Sequence, residues 1–254
     1  MVFLLFSLAM TQLTPAETYF LDSLILGRSR DVFQLVIKDL WVKKVITVEE
    51  RWIQLHPRDQ HERLRYFFLK GEDFNSYKSS KRHELFFIDF FRDHDEVRFF
   101  ELRNYIGKEL NYDVDAFTRD YIYPDLEDAG CCDYLLFRTT QGKEHLSRCH
   151  FLLNELNGKL DHYLHQDLKL LEEFLDELGS HIILLKKSSI DKLALLKVNK
   201  PELGGGSLVM IQNNLELFTN LNQYLHSTFD GRSYRGAFDG GGGDYGGGGV
   251  DDDW

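Results

Sequence analysis

Residues 14–56 read TPAETYFLDSLILGRSRDVFQLVIKDLWVKKVITVEERWIQLH, and this stretch decides the predicted fold. It opens with the start signal of a helix: Thr14 is a candidate N-cap, Pro15 suits the first helical position, and Glu17 completes a capping box. Apolar residues follow at intervals of three or four positions. The pattern therefore predicts an amphipathic helix over residues 14–26.

A second helix and a hairpin follow in the same stretch. Apolar side chains recur with helical spacing over residues 32–41, whereas β-branched and large apolar residues over 45–55 predict two short strands. Residues 61–70 are predicted to be helical. Because two helices followed by a small hairpin are the skeleton of a winged helix, residues 1–75 are predicted to form a first winged-helix-like unit.

The same order returns over residues 80–150, which we interpret as a second winged-helix-like unit. Three predicted helices and a β-like run lie over residues 81–91, 97–110, 114–129 and 131–140. Pro124 is expected to kink the third helix. The predicted fold class is mainly α with small β hairpins (α+β), as tandem winged-helix-like units followed by C-terminal helices. A single irregular helical domain is the alternative.

The C-terminal region, residues 151–230, is predicted to be helical. Long apolar stripes indicate helices over residues 151–178 and 211–225, with a short strand over 181–185 between them. The first helix carries a leucine seam that advances by four and three residues, formed by Leu164, Leu168, Leu171, Leu175 and Leu178. Such a seam is typical of a helix packed on another helix. We expect it to pack within the chain, and self-association is the alternative.

Both ends of the chain differ from its body. Residues 236–254 contain nine Gly and five Asp and no basic residue, which predicts a disordered tail. The N-terminal apolar run is too short to span a bilayer, and we expect any membrane association to use Val2, Phe3, Leu4, Leu5 and Phe6. Three cysteines do not make a disulfide framework and favour a reducing compartment. The predicted location is cytoplasmic, with membrane association as the alternative.

The charge of the chain argues against general nucleic-acid binding. The formal net charge is −11, whereas affinity for phosphates comes largely from cations. The helix over residues 113–128 carries six carboxylates against Arg119 alone, so its surface is expected to repel phosphates. The first unit offers the one candidate nucleic-acid face, formed by Arg28, Arg30, Lys38, Lys43 and Lys44.

The sequence contains no pattern that carries catalysis or ligand binding. A P-loop, a dinucleotide-binding glycine pattern, a nucleophile elbow and a zinc-protease motif are all missing from the 254 residues. We therefore predict no catalytic residue, no cofactor and no metal. Cys149 lies between Arg148 and His150, and neighbouring cations of this kind lower the pKa of a thiol. The interpretation we favour is a helix residue packed against the core.

A resemblance to a known group rests on residues 13–46 and on the tail. Leu13, Pro15 and Glu17 precede an apolar turn, followed by Gly27 and Arg30 and then by a helix that ends in Leu40, Lys43 and Val45-Ile46. This pattern resembles the cytoplasmic module of certain bacterial membrane-anchored proteins of unknown function, which commonly end in a glycine-rich tail. The resemblance implies a helical cytoplasmic module and supplies no catalytic residues. This chain departs from the pattern because it has no convincing transmembrane helix.

These observations favour a non-enzymatic protein-interaction module. Abundant apolar helices, an acidic surface and the lack of a catalytic constellation all point in that direction. A DNA-binding transcriptional regulator that uses the basic face of the first unit is one alternative. An enzyme with a cleft between the two units is another.

Overall fold

The computed structural model describes residues 13–23, 29–54, 61–111, 113–199 and 221. This part of the chain is mainly helical and contains a small three-stranded antiparallel sheet. The predicted α+β class is therefore confirmed at that level. Several sequence predictions lie outside the described residues: the apolar residues Val2, Phe3, Leu4, Leu5 and Phe6, Arg28, the helix over 211–225 except residue 221, and the tail over 236–254.

The elements of the described chain begin with two helices, a hairpin and a third helix. They are α1 (Pro15–Asp22), α2 (Ser29–Val42), β1 (Ile46–Ile53), β2 (Arg63–Lys70) and α3 (Arg82–Arg92). A short strand and three further helical segments follow: β3 (Glu96–Arg98), α4 (Phe99–Glu109), α5 (Val114–Phe117) and α6 (Tyr123–Asp128). The remaining elements are α7 (Thr140–Gln166), α8 (Leu168–Leu178), a 3-10 helix (Gly179–Leu184) and α9 (Lys187–Asn199).

The predicted start of α1 is confirmed. The backbone N–H of Glu17 donates to the Thr14 hydroxyl at 3.2 Å, and the Thr14 backbone N–H donates to the Glu17 carboxylate at 2.6 Å. This reciprocal pair satisfies two backbone donors that a helix start leaves without intrahelical partners. The helix therefore begins where the sequence predicts.

The prediction of a helix over residues 61–70 is wrong, because most of this segment is strand β2. Its eight residues pair antiparallel with all eight residues of β1, from Ile46 opposite Lys70 to Ile53 opposite Arg63. The two short strands predicted over 45–55 are likewise one continuous strand. The long ladder satisfies the backbone of both segments, which outweighs the local helical propensity of β2.

The sheet joins the two units that the sequence predicts. Strand β3, which belongs to the second predicted unit, pairs with β2 of the first through Phe67, Phe68 and Leu69. In place of the β-like run predicted over residues 131–140, the structure has a tight loop with one isolated bridge between Cys132 and Arg138. The β-like run is therefore wrong as a strand prediction.

Pro124 disturbs the helix predicted over residues 114–129, as expected. The segment consists of α5, a π-helical turn over Thr118–Ile122, and α6. Proline has no backbone N–H to donate and its ring crowds the preceding turn, so a regular α-helix cannot run through it. The π-turn accommodates the proline without ending the helical path.

The long helix predicted over residues 151–178 starts earlier and is divided. Helix α7 begins at Thr140, and Asp167 separates it from α8. The Asp167 carboxylate accepts a hydrogen bond from the backbone N–H of Leu170 at 3.1 Å and so caps α8. The strand predicted over 181–185 is wrong, because Gly179–Leu184 form a 3-10 helix.

One apolar core links the elements. Phe33 on α2 stacks on Phe117 at a centroid distance of 4.2 Å, and Phe86 on α3 packs edge-on against Phe117 at 5.4 Å. The core contains residues of both predicted units and of the C-terminal helices. None of the helices in the described ranges combines the length and the apolarity needed to cross a membrane.

Candidate functional site

The most unusual surface of the described chain is the loop over residues 133–138, between α6 and α7. Four consecutive large apolar side chains on it are exposed: Tyr134 by 77%, Leu135 by 57%, Leu136 by 43% and Phe137 by 66%. Contiguous apolar residues at a surface cost free energy in water and commonly mark an interaction site. We call this segment the apolar loop.

The Asp133 carboxylate holds the backbone of the apolar loop in place. One of its oxygens, Oδ1, accepts hydrogen bonds from the backbone N–H groups of Leu135 and Phe137, both at 2.9 Å. The Asp133 N–H donates to the Phe137 carbonyl at 3.0 Å, and the Leu136 N–H donates to the Asp133 carbonyl at 2.9 Å. The turn therefore satisfies these backbone polar groups internally. Its apolar side chains are not needed to hold the conformation of the turn.

Leu136 adopts a backbone conformation that leucine normally avoids. Its φ is +64°, in the left-handed region. This conformation costs an L-residue with a Cβ about 1–2 kcal/mol. Such strain persists where the surrounding contacts enforce it, and it is found mainly at functional sites.

Two contacts fix the base of the apolar loop to the body of the protein. The Arg138 guanidinium donates through Nε to the Leu21 carbonyl at 2.7 Å and through Nη2 to the Asp22 carbonyl, both at the end of α1. A cation at this position also complements the helix dipole. The Tyr123 hydroxyl donates to the Asp133 carbonyl at 2.6 Å. The loop is thus a preorganised projection on a rigid base.

Acidic groups surround the base of the apolar loop. Burial raises the pKa of the Cys132 thiol to about 11, with further contributions from the neighbouring Cys131, Glu127 and Asp133. Burial likewise raises the pKa of Tyr123, helped by the same Glu127 and Asp133 carboxylates. Arg138, a cation fixed to this base, already faces the carbonyls of α1. The apolar tip is therefore bordered by negative charge.

The structure describes the side chains of three of the five residues of the predicted nucleic-acid face, Lys38, Lys43 and Lys44. Lys38 is buried, and burial lowers its pKa to about 8 in spite of the nearby Asp31. Lys43 forms ion pairs with Asp39 and Glu84, both at 2.7 Å, and Lys44 pairs with Glu72. Arg30 belongs to α2, and its side chain and that of Arg28 lie outside the described part.

Most of the carboxylates of the acidic helical segment over residues 113–128 are exposed at the surface. The exposed ones are Asp113, Asp115, Asp120, Glu127 and Asp128. Asp125 differs, because it is buried and accepts hydrogen bonds from the Arg82 guanidinium at 2.9 Å and the Arg82 backbone N–H at 2.8 Å. The predicted negative surface is thus formed by the other carboxylates.

One buried cluster has the residue types of a metal site. Ligand atoms of Glu17, His83 and Asp125 lie within 4.8 Å of one another. Both ring nitrogens of His83 already face protein partners, Thr14 at 3.1 Å and Asp125 at 3.0 Å. Glu17 accepts from the Lys81 ammonium at 2.8 Å, and that cation would repel a metal ion. The cluster fits a structural hydrogen-bond network rather than a metal site.

A polar cleft of about 290 Å³ lies where Leu13 and Thr14, the loop over 77–81 and the end of α8 meet. Lys43 contributes an ammonium group whose pKa, although burial lowers it, is held well above its ordinary value by Asp39 and Glu84. The Glu84 carboxylate is also paired. Burial raises its pKa, but the charges of Lys43 and His83, together with hydrogen bonds from Lys43 and Ser79, hold its pKa below the usual range. Lys43 is therefore not a neutral amine that could act as a nucleophile, and Glu84 is not a strong carboxylate base.

Burial makes the three cysteines unreactive. Cys131, Cys132 and Cys149 are free and buried. Burial raises the pKa of the Cys149 thiol to about 12, and Asp22 adds to the effect. Cys149 is fully buried on α7, so its interpretation as a helix residue packed against the core is confirmed.

The leucine seam packs mainly inside the chain. Leu171, Leu175 and Leu178 of α8 are buried, whereas Leu164 and Leu168 are half-buried. Self-association through this seam stays a prediction, and the two half-buried leucines are the part of it with accessible surface.

Sequence reasoning missed the apolar loop. The run Tyr134-Leu-Leu-Phe137 has the composition of a strand. The one local signal of a turn is Asp133, a residue type that often starts turns.

Comparison with family models, with curated proteins and with solved structures finds no match for this chain.

Proposed function

We propose that this protein is a non-enzymatic protein-interaction module that docks through the apolar loop. The observation that carries the proposal is the exposure of four consecutive large apolar side chains, Tyr134 to Phe137, on a turn whose backbone is already hydrogen-bonded. Fully burying one such side chain contributes about 1.5–3 kcal/mol. A partner that covers the loop therefore gains affinity from a small contact area.

The rigidity of the apolar loop supports a docking role. Binding a flexible segment costs conformational entropy for each side chain and loop that becomes ordered. Here Asp133 and Arg138 order the backbone in the unbound protein. Aromatic residues such as Tyr134 and Phe137 are also frequent among the residues that dominate binding energies.

The charge around the loop selects the kind of partner. Asp133 and Glu127 border its base, and the chain as a whole carries a net charge of −11. An anionic lipid surface would be repelled by these groups. We therefore propose a protein partner with an apolar pocket and a basic rim.

We propose a winged-helix-like architecture for the first unit, as the scaffold of this module. The order α1, α2, β1, β2 is that of two helices and a hairpin wing. The three buried free cysteines support a reducing compartment, for which we propose the cytoplasm. The ion pairs of Lys43 and Lys44 give no support to DNA binding through the predicted basic face.

Site-specific photo-crosslinking in cells tests the proposal. A photoreactive phenylalanine analogue replaces Phe137 in the full-length protein, and the matched control carries it at Phe100, which is 60% exposed on α4. We expect a discrete protein adduct from position 137 that position 100 does not give. The purified partner should then bind Leu135→Ser and Phe137→Ser at least about 30-fold more weakly, as for hot-spot residues. Equal affinity of these variants, or adducts with lipid alone, would refute the proposal.

A further inference from the structure

Two buried histidines from the C-terminal half of the chain share one hydroxyl group, that of Thr18. The Thr18 Oγ1 atom on α1 lies 2.9 Å from Nε2 of His145 on α7 and 2.9 Å from Nε2 of His181 in the 3-10 helix. The three residues are 3%, 5% and 3% exposed, respectively. We propose that they form an acid-sensitive latch: with a neutral His181 ring it holds the segment over residues 168–184 against α1, and protonation of that ring releases the segment.

The hydrogen-bond arrangement requires a neutral His181 ring. The backbone carbonyl of Leu178 acts on His181 as a hydrogen-bond acceptor, so we assign the ring proton of His181 to Nδ1. Its Nε2 therefore accepts from the Thr18 hydroxyl, and His145 donates to the Thr18 oxygen. A second proton on His181 removes the acceptor for Thr18 and turns two N–H groups toward one oxygen.

The surroundings offer no compensation for a positive charge on His181. From α7 the His145 ring lies at a centroid distance of 6.0 Å from the His181 ring, and from α2 the Lys43 ammonium acts on His181 as a like charge.

The neighbouring carboxylates are already paired with other cations. Asp39 on α2 and Glu84 on α3 are bound to Lys43, and Glu177 on α8 is bound to Arg148 of α7. Glu17 on α1 is bound to Lys81. Within the described ranges, no carboxylate contacts His181.

These contacts make release of the segment depend on pH. Burial first, and the neighbouring His145 second, lower the pKa of His181 to about 3, far below its ordinary value of 6.5. The released state therefore binds one more proton than the latched state between these two values. By linkage, the ratio of released to latched protein rises about tenfold for each pH unit below about 6 and is flat above about 7.

Release would uncover a defined surface. Helix α8 buries Leu171, Phe174, Leu175 and Leu178, and the 3-10 helix buries Ile182 and Ile183. The same segment forms one wall of the polar cleft through residues 176–181. Protonation of the latch would thus open the cleft and expose an apolar helix face together.

Hydrogen exchange of the full-length protein tests the latch. Exchange of peptides over residues 168–184 is measured at pH 7.5, 5.5 and 4.5 and corrected for intrinsic rates. We expect the opening constant of the wild type to rise about tenfold per pH unit below 6. His181→Gln, which does not titrate but can still bond Thr18, should be much less pH-dependent. His162→Gln on the exposed side of α7 should behave as the wild type.

Equal pH dependence of the wild type and His181→Gln would overturn the proposal. A direct titration covers the case in which His181→Gln does not fold. The NMR shifts of the His181 ring in the wild type should remain those of the neutral form down to pH 5. Protonation of this ring with a midpoint within one unit of 6.5 would equally overturn it.

Discussion

The apolar loop and helix α8 are both rich in large apolar residues, yet one is exposed and the other is buried. Leu171 on α8 is 0% exposed, whereas Leu135 in the loop is 57% exposed. The difference arises from the backbone. In α8 a regular helix places Leu171, Phe174, Leu175 and Leu178 on the face that packs on the core. In the loop, hydrogen bonds to Asp133 turn consecutive side chains outward. Apolar sequence alone therefore does not distinguish core from docking surface.

The largest expected effect on stability is the difference between truncating Leu171 on α8 and truncating Leu135 in the apolar loop. Leu171→Ala removes buried apolar volume and should lower the free energy of unfolding by about 2–5 kcal/mol. Leu135→Ala removes exposed surface and should change it by no more than about 0.5 kcal/mol. Urea unfolding of both variants checks the contrast. Similar losses would mean that the loop is packed in solution.

A pair of glycines in α7 tests how firmly the loop base is held. A Cβ at Gly142 would lie 2.1 Å from the Cys131 carbonyl oxygen, whereas one at Gly158 meets nothing within 4 Å. Gly142→Ala should therefore destabilise the protein by about 1–3 kcal/mol through the backbone shift it forces. Gly158→Ala should stabilise it by about 0.5–1 kcal/mol, because alanine favours helix interiors. Thermal unfolding distinguishes the two signs, and destabilisation by both would contradict the open space at Gly158.

Removal of the Asp133 carboxylate should loosen the loop without disturbing the core. Asp133→Ala leaves the N–H groups of Leu135 and Phe137 without their acceptor, at a cost of about 1–2 kcal/mol. Asp133→Asn keeps a carbonyl oxygen and should recover most of that loss. Hydrogen exchange at residues 135 and 137 is the direct measurement. Unchanged protection in Asp133→Ala would show that the carboxylate does not order the turn.

The smallest effect is expected at the strained position of the loop. Leu136→Gly relieves a positive φ of 64° and should raise the free energy of unfolding by about 0.5–1 kcal/mol. It also removes one of the four apolar side chains and so should weaken partner binding. Chemical denaturation and a binding titration measure the two effects. A loss of stability would show that the Leu136 side chain packs in the folded protein.

The helices were largely predictable, because their signals are local. The capping box at Thr14 and Glu17 and the apolar spacing of α2 and α3 lie within a few residues of each other. The π-helical turn that precedes Pro124 follows from the chemistry of one residue. Such features need no information about the distant parts of the chain.

The errors concern segments whose structure depends on distant partners. Residues 63–70 form a strand because β1 pairs with their entire length, and periodicity alone did not reveal that partner. The run over residues 134–137 matches a strand in composition, but Asp133 closes it into a turn. The Thr18, His145 and His181 cluster joins positions as far as 163 residues apart, so no local pattern announces it.

Strand β3 has a consequence for how the chain can be divided. Its three residues pair with Phe67, Phe68 and Leu69 across the interval between residues 75 and 80. A fragment that stops at residue 75 would leave the outer side of β2 without a neighbour and show an aromatic strand edge to solvent. Such an edge recruits strands from other molecules. Expressed alone, that fragment should precipitate rather than behave as a portable domain.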